Sequence, residues 1–335
     1  WLYNGKDKTF FLFGYEGIRD ARPRFDAGEG PWVPTAALAA GDFSQFACAP
    51  GQTTGCVTVY DPMSRVACGS GQFCGTAFAN NRIPDARISP VAKAVLEYWA
   101  KPKNPGLTGN IFDSGLTEVT EPYDNYTFRI DQNITNNNHL FVRGSYYDRV
   151  SFYNDYTANE YAGVSFAFKA RQGVIDDVHT FNSTTFLNVR YAYNRFIRAQ
   201  DQEPDAQGFD LTNLWGPTAG ATYNNLIPES IRRFPRFDFS NGPLGNGMSN
   251  EFRPVGSHSF AATLNKIIES HAIKFGGELR VYREDDSFAS NDQTGQFVFN
   301  NTYTRAASNT ANNATIDYLG LQSYAAFLLG LPTTQ

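Results

Sequence analysis

His139, His179, His258 and His271 are the residues best suited to bind zinc or to move protons near neutral pH. Each stands singly in a strand-like or turn-like stretch, and none has the HExxH or i, i+4 spacing that turns two imidazoles to one side of a helix. Gly69-Ser70-Gly71 matches neither the GxSxG nucleophile elbow nor the phosphate-cradling GxxxxGK[ST] loop. Asp61, Asp85, Asp285 and Asp286 lack a DxDxDG-type frame and read as solvated loop charge rather than calcium ligands. The expectation is a chain with no catalytic residue, no metal site and no cofactor, hence not an enzyme.

Cys48, Cys56, Cys68 and Cys74 fall in one stretch rich in Gly, Ser, Thr and Pro. Their even number and loop setting point to two disulfides in an oxidising compartment, with all three pairings open. A structural zinc site is the rival, but there is no CxxC pair and no neighbouring His.

The remaining candidates are the charged residues Arg129, Asp131, Arg143, Arg190, Lys274, Glu278 and Arg280, and the pattern around them defines the elements that carry them. In 126–131, Tyr126, Phe128 and Ile130 alternate with Thr127, Arg129 and Asp131. Leu140, Val142, Gly144 and Tyr146 alternate with Arg143 and Ser145. Leu187, Val189, Tyr191 and Tyr193 alternate with Asn188, Arg190 and Asn194. Ile273, Phe275, Gly277, Leu279 and Val281 alternate with Lys274, Glu278 and Arg280. A period of two puts successive side chains on opposite faces of a strand. Thr135-Asn136-Asn137-Asn138, Asn182-Ser183-Thr184 and Glu269-Ser270-His271 supply turn residues between such runs.

Strands are expected at 8–16, 124–134, 139–149, 173–183, 185–198, 257–268 and 271–284. Alternate connections are tight, and those between them are long: 17–123, 150–172 and 199–256, with 285–320 following the last strand. A soluble sandwich has no reason to keep that parity, whereas outer-membrane barrels do, with short periplasmic turns and long extracellular loops. Several strands also reach the ~9 to 11 residues that a tilted transmembrane strand needs. Phe10, Tyr15, Tyr126, Tyr146, Tyr193 and Phe196, near strand ends, are candidates for interfacial aromatic girdles. The charged residues named above would then face the lumen.

Composition agrees with an all-β chain: 28 Phe, 18 Tyr and 29 Gly against 2 Met favour strands and turns. A net charge of -5 disfavours nucleic acid as a partner. Mean hydropathy is -0.40, and no run offers the ~20 apolar residues of a membrane helix. Within the first long connection, Ser89 at an N-cap, Pro90 at N1 and Val91, Ala94, Val95 and Tyr98 predict a short amphipathic helix ended by Pro102 and Pro105-Gly106. Leu321–Leu331 is a second helical candidate, with an apolar strand as the alternative. The termini carry no initiator Met, no signal peptide and no closing aromatic strand end, so a piece from within a longer protein is expected.

Lys6-Asp7-Lys8-Thr9-Phe10-Phe11-Leu12-Phe13-Gly14-Tyr15-Glu16-Gly17, Val33-Pro34-Thr35-Ala36, Ala40-Gly41-Asp42-Phe43-Ser44, Tyr60-Asp61-Pro62 and Asn81-Arg82-Ile83-Pro84-Asp85-Ala86-Arg87-Ile88-Ser89-Pro90-Val91-Ala92 occur in that order. Phe275-Gly276-Gly277-Glu278 and Ala325-Ala326-Phe327-Leu328-Leu329-Gly330-Leu331-Pro332 follow. Across nearly its whole length the chain resembles the Oar-like TonB-dependent receptors. The resemblance implies the first third of a barrel of roughly 22 strands. It also implies a plug and a carboxypeptidase-regulatory-like N-terminal domain, neither of which is in these residues. By the same resemblance the chain would sit in the bacterial outer membrane, in contact with lipid, and move a large or scarce solute such as a peptide or glycan. The TonB–ExbB–ExbD complex would drive it through the plug, and the ligand would bind to surface loops. A barrel that serves only as anchor for a structural or adhesive surface protein is the alternative.

Overall fold

The structure, a computed structural model, describes residues 4–24, 33–99, 117–153, 164–202, 206–240, 251–286, 294–310 and 316–334. In chain order the first elements are β1 (Thr9–Ile18), β2 (Ala21–Arg24), α1 (Ala36–Ala39), β3 (Val66–Gly69), β4 (Gln72–Cys74), α2 (Pro90–Glu97) and β5 (Thr117–Thr120). There follow β6 (Tyr123–Thr135), β7 (Asn138–Tyr153), β8 (Val164–Asn182), β9 (Thr185–Gln202), α3 (Thr212–Leu226), β10 (Arg236–Phe239), β11 (Glu251–Ile268), β12 (His271–Glu284), β13 (Gln296–Phe299) and α4 (Leu321–Leu328).

Seven long strands form one antiparallel meander in the order β1-β6-β7-β8-β9-β11-β12, open at β1 and β12. Each strand expected from the alternation is present. The turns are set by local side chains: Thr135 Oγ1 accepts from Asn137 N at 3.2 Å, and Asn182 Oδ1 accepts from Thr184 N at 3.1 Å. At the last turn Glu269 adopts a left-handed φ of 54°. The strands run further than the hydrophobic pattern suggested, and always at the end away from these turns. β7 and β8 have 16 and 19 residues, so 150–153 and 164–172 are strand, and β9 and β11 take residues at both ends of 199–256. Backbone pairing continues there beyond the apolar band, and in β8 the alternation of Val164, Phe166 and Phe168 with Ser165, Ala167 and Lys169 falls on the face opposite Ile175.

Register divides the sheet into two unlike faces. Phe11, Phe13, Tyr126, Phe128, Ile130, Ile175, Phe260, Phe275, Leu279 and Val281 share one face and are exposed, Phe11 at 83% and Phe275 at 76%. Left in water, each such side chain would forfeit about 1.5 to 3 kcal/mol. A bilayer removes that cost. The band Ile273–Val281 on β12 spans eight residue steps, about 26 Å along the strand at 3.3 Å per residue. A tilt of about 40° reduces this to about 20 Å, near the ~25 Å apolar band of outer-membrane barrels.

The molecule's packed core lies outside the sheet, where the long connections meet. Phe43, Val57, Val59, Ile83 and Val95 from the first connection pack with Phe209, Leu211, Leu214, Phe234 and Phe237 from the connection between β9 and β11 and with Phe299, Leu321, Tyr324 and Phe327 beyond β12. α2 buries Ala92 and Val95, but the Ser89 side chain makes no cap; its backbone N–H instead donates to Leu328 O at 2.7 Å. Pro102 and Pro105-Gly106, expected to end this helix, lie outside the described residues. Leu321–Leu328 is helical rather than a strand, and every residue in it is buried. α3, kinked at Gly216 (φ 74°) before Pro217, was not expected, because it lacks a clear apolar stripe.

Asn81 ties this core together. Its side chain donates to Phe43 O and Val57 O, both at 2.9 Å, and accepts from Val59 N at 2.8 Å, so one buried amide satisfies three backbone groups. Cys48–Cys56 and Cys68–Cys74 are the observed disulfides. The first anchors Cys56 beside buried Val57, and the second crosses the exposed β3–β4 hairpin.

Phe327 is 2% exposed and lies 5.4 to 5.6 Å, ring to ring, from Phe299, Trp99 and Phe239. Phe327→Ala is expected to destabilise the connection core by about 3 to 5 kcal/mol. Limited proteolysis should show new cleavage in 33–99, while the heat-modifiable gel mobility of the barrel is unchanged. Loss of both together would mean that core and sheet fold as one unit.

Candidate functional surface

The second face of the sheet collects the charged candidates. Cross-strand pairing places Phe10, Asp131, Phe141, Asp176, Arg190, Ala261 and Glu278 in one transverse row. The next row holds Leu12, Arg129, Arg143, Val174, Ala192, Ser259 and Arg280. Lys274, opposite Asn265, lies on the same face nearer the turns. All seven sequence candidates are therefore brought to one face, mostly as a row of acids beside a row of bases.

Within it, Arg129 Nε donates to Asp131 at 2.6 Å and its guanidinium sits 4.1 Å from the Phe141 ring centroid; His139 is 3.4 Å from Asp131. Arg190 donates to Asp176 at 2.5 Å, and Asn188 donates to the same carboxylate at 2.8 Å. Glu278 accepts from Ser259 at 2.8 Å and pairs with Arg280. Arg143 and Lys274 have no ion-pair partner among the described residues. Arg143 stands directly opposite Arg129, an unfavourable pairing that Asp131 offsets only for Arg129.

Sequence reading missed Asp176, 2% exposed, and the cluster of Arg198 and Arg253 on Glu251 at 2.9 and 2.8 Å. Asp176-Asp177 is a doublet, so alternation does not say which carboxylate faces which way, and Glu251 lay in an expected loop. Phe10 and Phe196, taken as girdle candidates, belong to this polar face, while Tyr15, Tyr126, Tyr146 and Tyr193 are on the apolar one. The physical reason is parity: Phe10 and Phe196 are each an odd number of residues from the apolar-face positions of their strands.

The connection core carries its own concavity. Val91, Ala92, Trp215, Phe237, Phe297, Phe299 and Phe327, with Ser89, Gly330 and Pro332, line a cavity of about 210 Å³. Aromatic carbon dominates its wall. At the rim of the same core, Arg87 donates to Asp61 at 2.9 Å and holds that carboxyl below its ordinary range. Arg82 does the same for Asp42. Asp317 differs: burial pushes its carboxyl up, while it accepts from Gln322 N at 2.7 Å and Ser323 N at 3.2 Å and so caps α4. Among the described residues no cluster of His, Cys, Asp or Glu is suited to a metal ion.

An antiparallel meander with a lipid-type apolar face, a charged opposite face and tight turns at one end defines a membrane β-barrel wall. Residues 5–335 match the family model described as an outer membrane beta barrel domain, and the chain belongs to that family. No curated protein and no solved structure matches it. The protein is thus a component of the bacterial outer membrane.

The two faces are separable by chemistry, because all four native cysteines are in disulfides and leave no thiol background. Arg143→Cys should react with a charged thiol reagent in detergent-free vesicles, and Phe128→Cys should be protected by lipid. Equal labelling at both sites would refute the assignment of faces. The ion pairs at the core rim predict an acid response. A carboxyl held low in the folded state contributes stability that is present above its unfolded pKa and is lost as pH falls through the lower folded value. Asp61→Asn should remove up to about 1 kcal/mol at neutral pH and flatten the stability decline below about pH 4, as read by unfolding at fixed pH.

Proposed function

We propose that this barrel wall belongs to a TonB-dependent receptor of the Oar-like kind, which moves a large or scarce solute such as a peptide or glycan across the outer membrane. The short turns face the periplasm, and the packed core of long connections stands at the cell surface. The charged face lines the lumen, where Arg143 and Lys274 meet a plug or a passing solute. The chain makes and breaks no bond in this reading.

The observation that carries the proposal is that three connections remote in sequence build one ordered core around an aromatic-walled cavity of about 210 Å³. A membrane anchor has no need of such a device, and recognition commonly resides on loops held by a rigid scaffold. A dry apolar cavity of about 150 Å³ already accepts benzene, so this one has room for a ring-sized apolar group.

Coupling is tested with the full-length protein and the purified periplasmic domain of TonB. Saturable binding, abolished by deleting the segment upstream of the plug, is expected. If no binding occurs while the barrel keeps its heat-modifiable mobility, energised transport is rejected and the anchor alternative stands.

A further inference from the structure

On the apolar face, the transverse row above the main lipid band changes character from one side of the sheet to the other. Pairing sets Tyr15, Tyr126, Tyr146, Arg171, Arg195, Gly256 and Arg283 directly side by side across all seven strands. The three tyrosines pack side by side along it, tilted and edge-to-face, with ring centroids 5.0 and 6.1 Å apart. Arg171 covers the Tyr146 ring at 3.3 Å. The position is that of a membrane border. Ile273 to Arg283 is ten residue steps on β12, about 33 Å along the strand and about 25 Å after a 40° tilt, the height of the apolar band itself.

Two arginines, Arg171 and Arg195, oppose each other on neighbouring strands, which costs stability unless an anion lies between or beside them. Arg171 pairs with Asp148 at 3.0 Å, Arg283 with Asp285 at 3.0 Å and Arg19 with Asp124 at 2.7 Å. Lys169 stands opposite Asp148, which Arg171 already engages. Arg195 has no partner among the described residues. Among the described residues, cations therefore outnumber carboxylates on this part of the surface, and the excess centres on Arg195. Beside it, Tyr193, Arg195, Pro254, Gly256, His258, Arg283 and Asp285 line a cavity of about 220 Å³. Its floor is open because Gly256, between Arg195 and Arg283, carries no side chain.

We propose that this cavity binds a phosphate of an outer-leaflet glycolipid headgroup, held between the Arg195 and Arg283 guanidinium groups while the acyl chains lie along Phe260, Leu279 and Val281. Guanidinium forks match phosphate oxygens in pairs, and the tyrosines fix the headgroup level. The inference rests on the orientation proposed above, with the long connections at the cell surface, and is independent of transport.

The test uses the full-length protein, purified in mild detergent and titrated with bisphosphorylated lipid A under native mass spectrometry. Wild-type protein should retain the lipid, and the dephosphorylated form should bind at least about tenfold more weakly. The double variant Arg195→Gln/Arg283→Gln should show the same loss. Gly256→Asp keeps both arginines and supplies an internal carboxylate, so it should also lose the lipid even where the double variant folds poorly. Equal binding of the dephosphorylated lipid, retention by folded Gly256→Asp, or displacement by millimolar inorganic phosphate would overturn the proposal, the last by revealing a free-anion site. Protease treatment of intact cells reads the orientation separately. Surface cleavage of the connections together with no lipid selectivity would sink this inference alone.

Discussion

Backbone hydrogen bonding in a medium that offers no partner is the constraint on which the rest of this structure depends. Inside a bilayer an unpaired peptide N–H or C=O costs several kcal/mol, so a chain crosses as a helix or as part of a closed sheet. No helix among the described residues is long and apolar enough to cross. The strands from β6 to β11 each pair on both sides, and the ladders are nearly continuous, with register shifts only beside tight turns such as Asn133/Thr135 and Thr180/Asn182. Membrane closure requires the two outer edges, at β1 and β12, to be paired as well.

Once the ladder is set, parity determines chemistry. A strand cannot rotate one residue without turning every side chain over, so a single register assigns Phe128 to lipid and Arg129 to the opposite face. The charged face is then satisfied mostly within itself. Asp131, Asp176 and Glu278 lie in the same row, and each finds an arginine. Arg143 and Lys274 on this face and Arg195 on the other are left without a counter-charge among the described residues.

The long connections obey different physics. Beyond the sheet, water is available, and burial of aromatic side chains organises the chain as in a soluble domain. Segments from three connections share one core, stitched by Asn81, by Gln322 donating to Thr58 O at 2.8 Å and by Tyr60 N donating to Thr304 O at 3.0 Å. The disulfides stabilise it further by shortening the unfolded loops, with about 2 to 3 kcal/mol expected for closures this small.

Sequence by itself determined the strands, the turns between them and the short helix at 90–97, and it placed the charged candidates on one side of the alternation, while 321–331 stayed open between helix and strand. Those features depend on periods of two or 3.6 residues and on local turn chemistry, all within a few neighbours along the chain. It did not reach the outer ends of β7, β8, β9 and β11, where pairing persists but the apolar alternation lapses or, at Val164, Phe166 and Phe168, changes face. Nor did it reach α3, whose Leu214 is buried in the core built with the other connections and whose Trp215 meets Phe297. The pairing of Cys48 with Cys56, the core shared by residues far apart in sequence, and the row that brings Arg171, Arg195 and Arg283 together were decided only in three dimensions. Strand register brings the arginine row into reach, and burial of apolar side chains gathers the connections; neither is encoded in the local pattern.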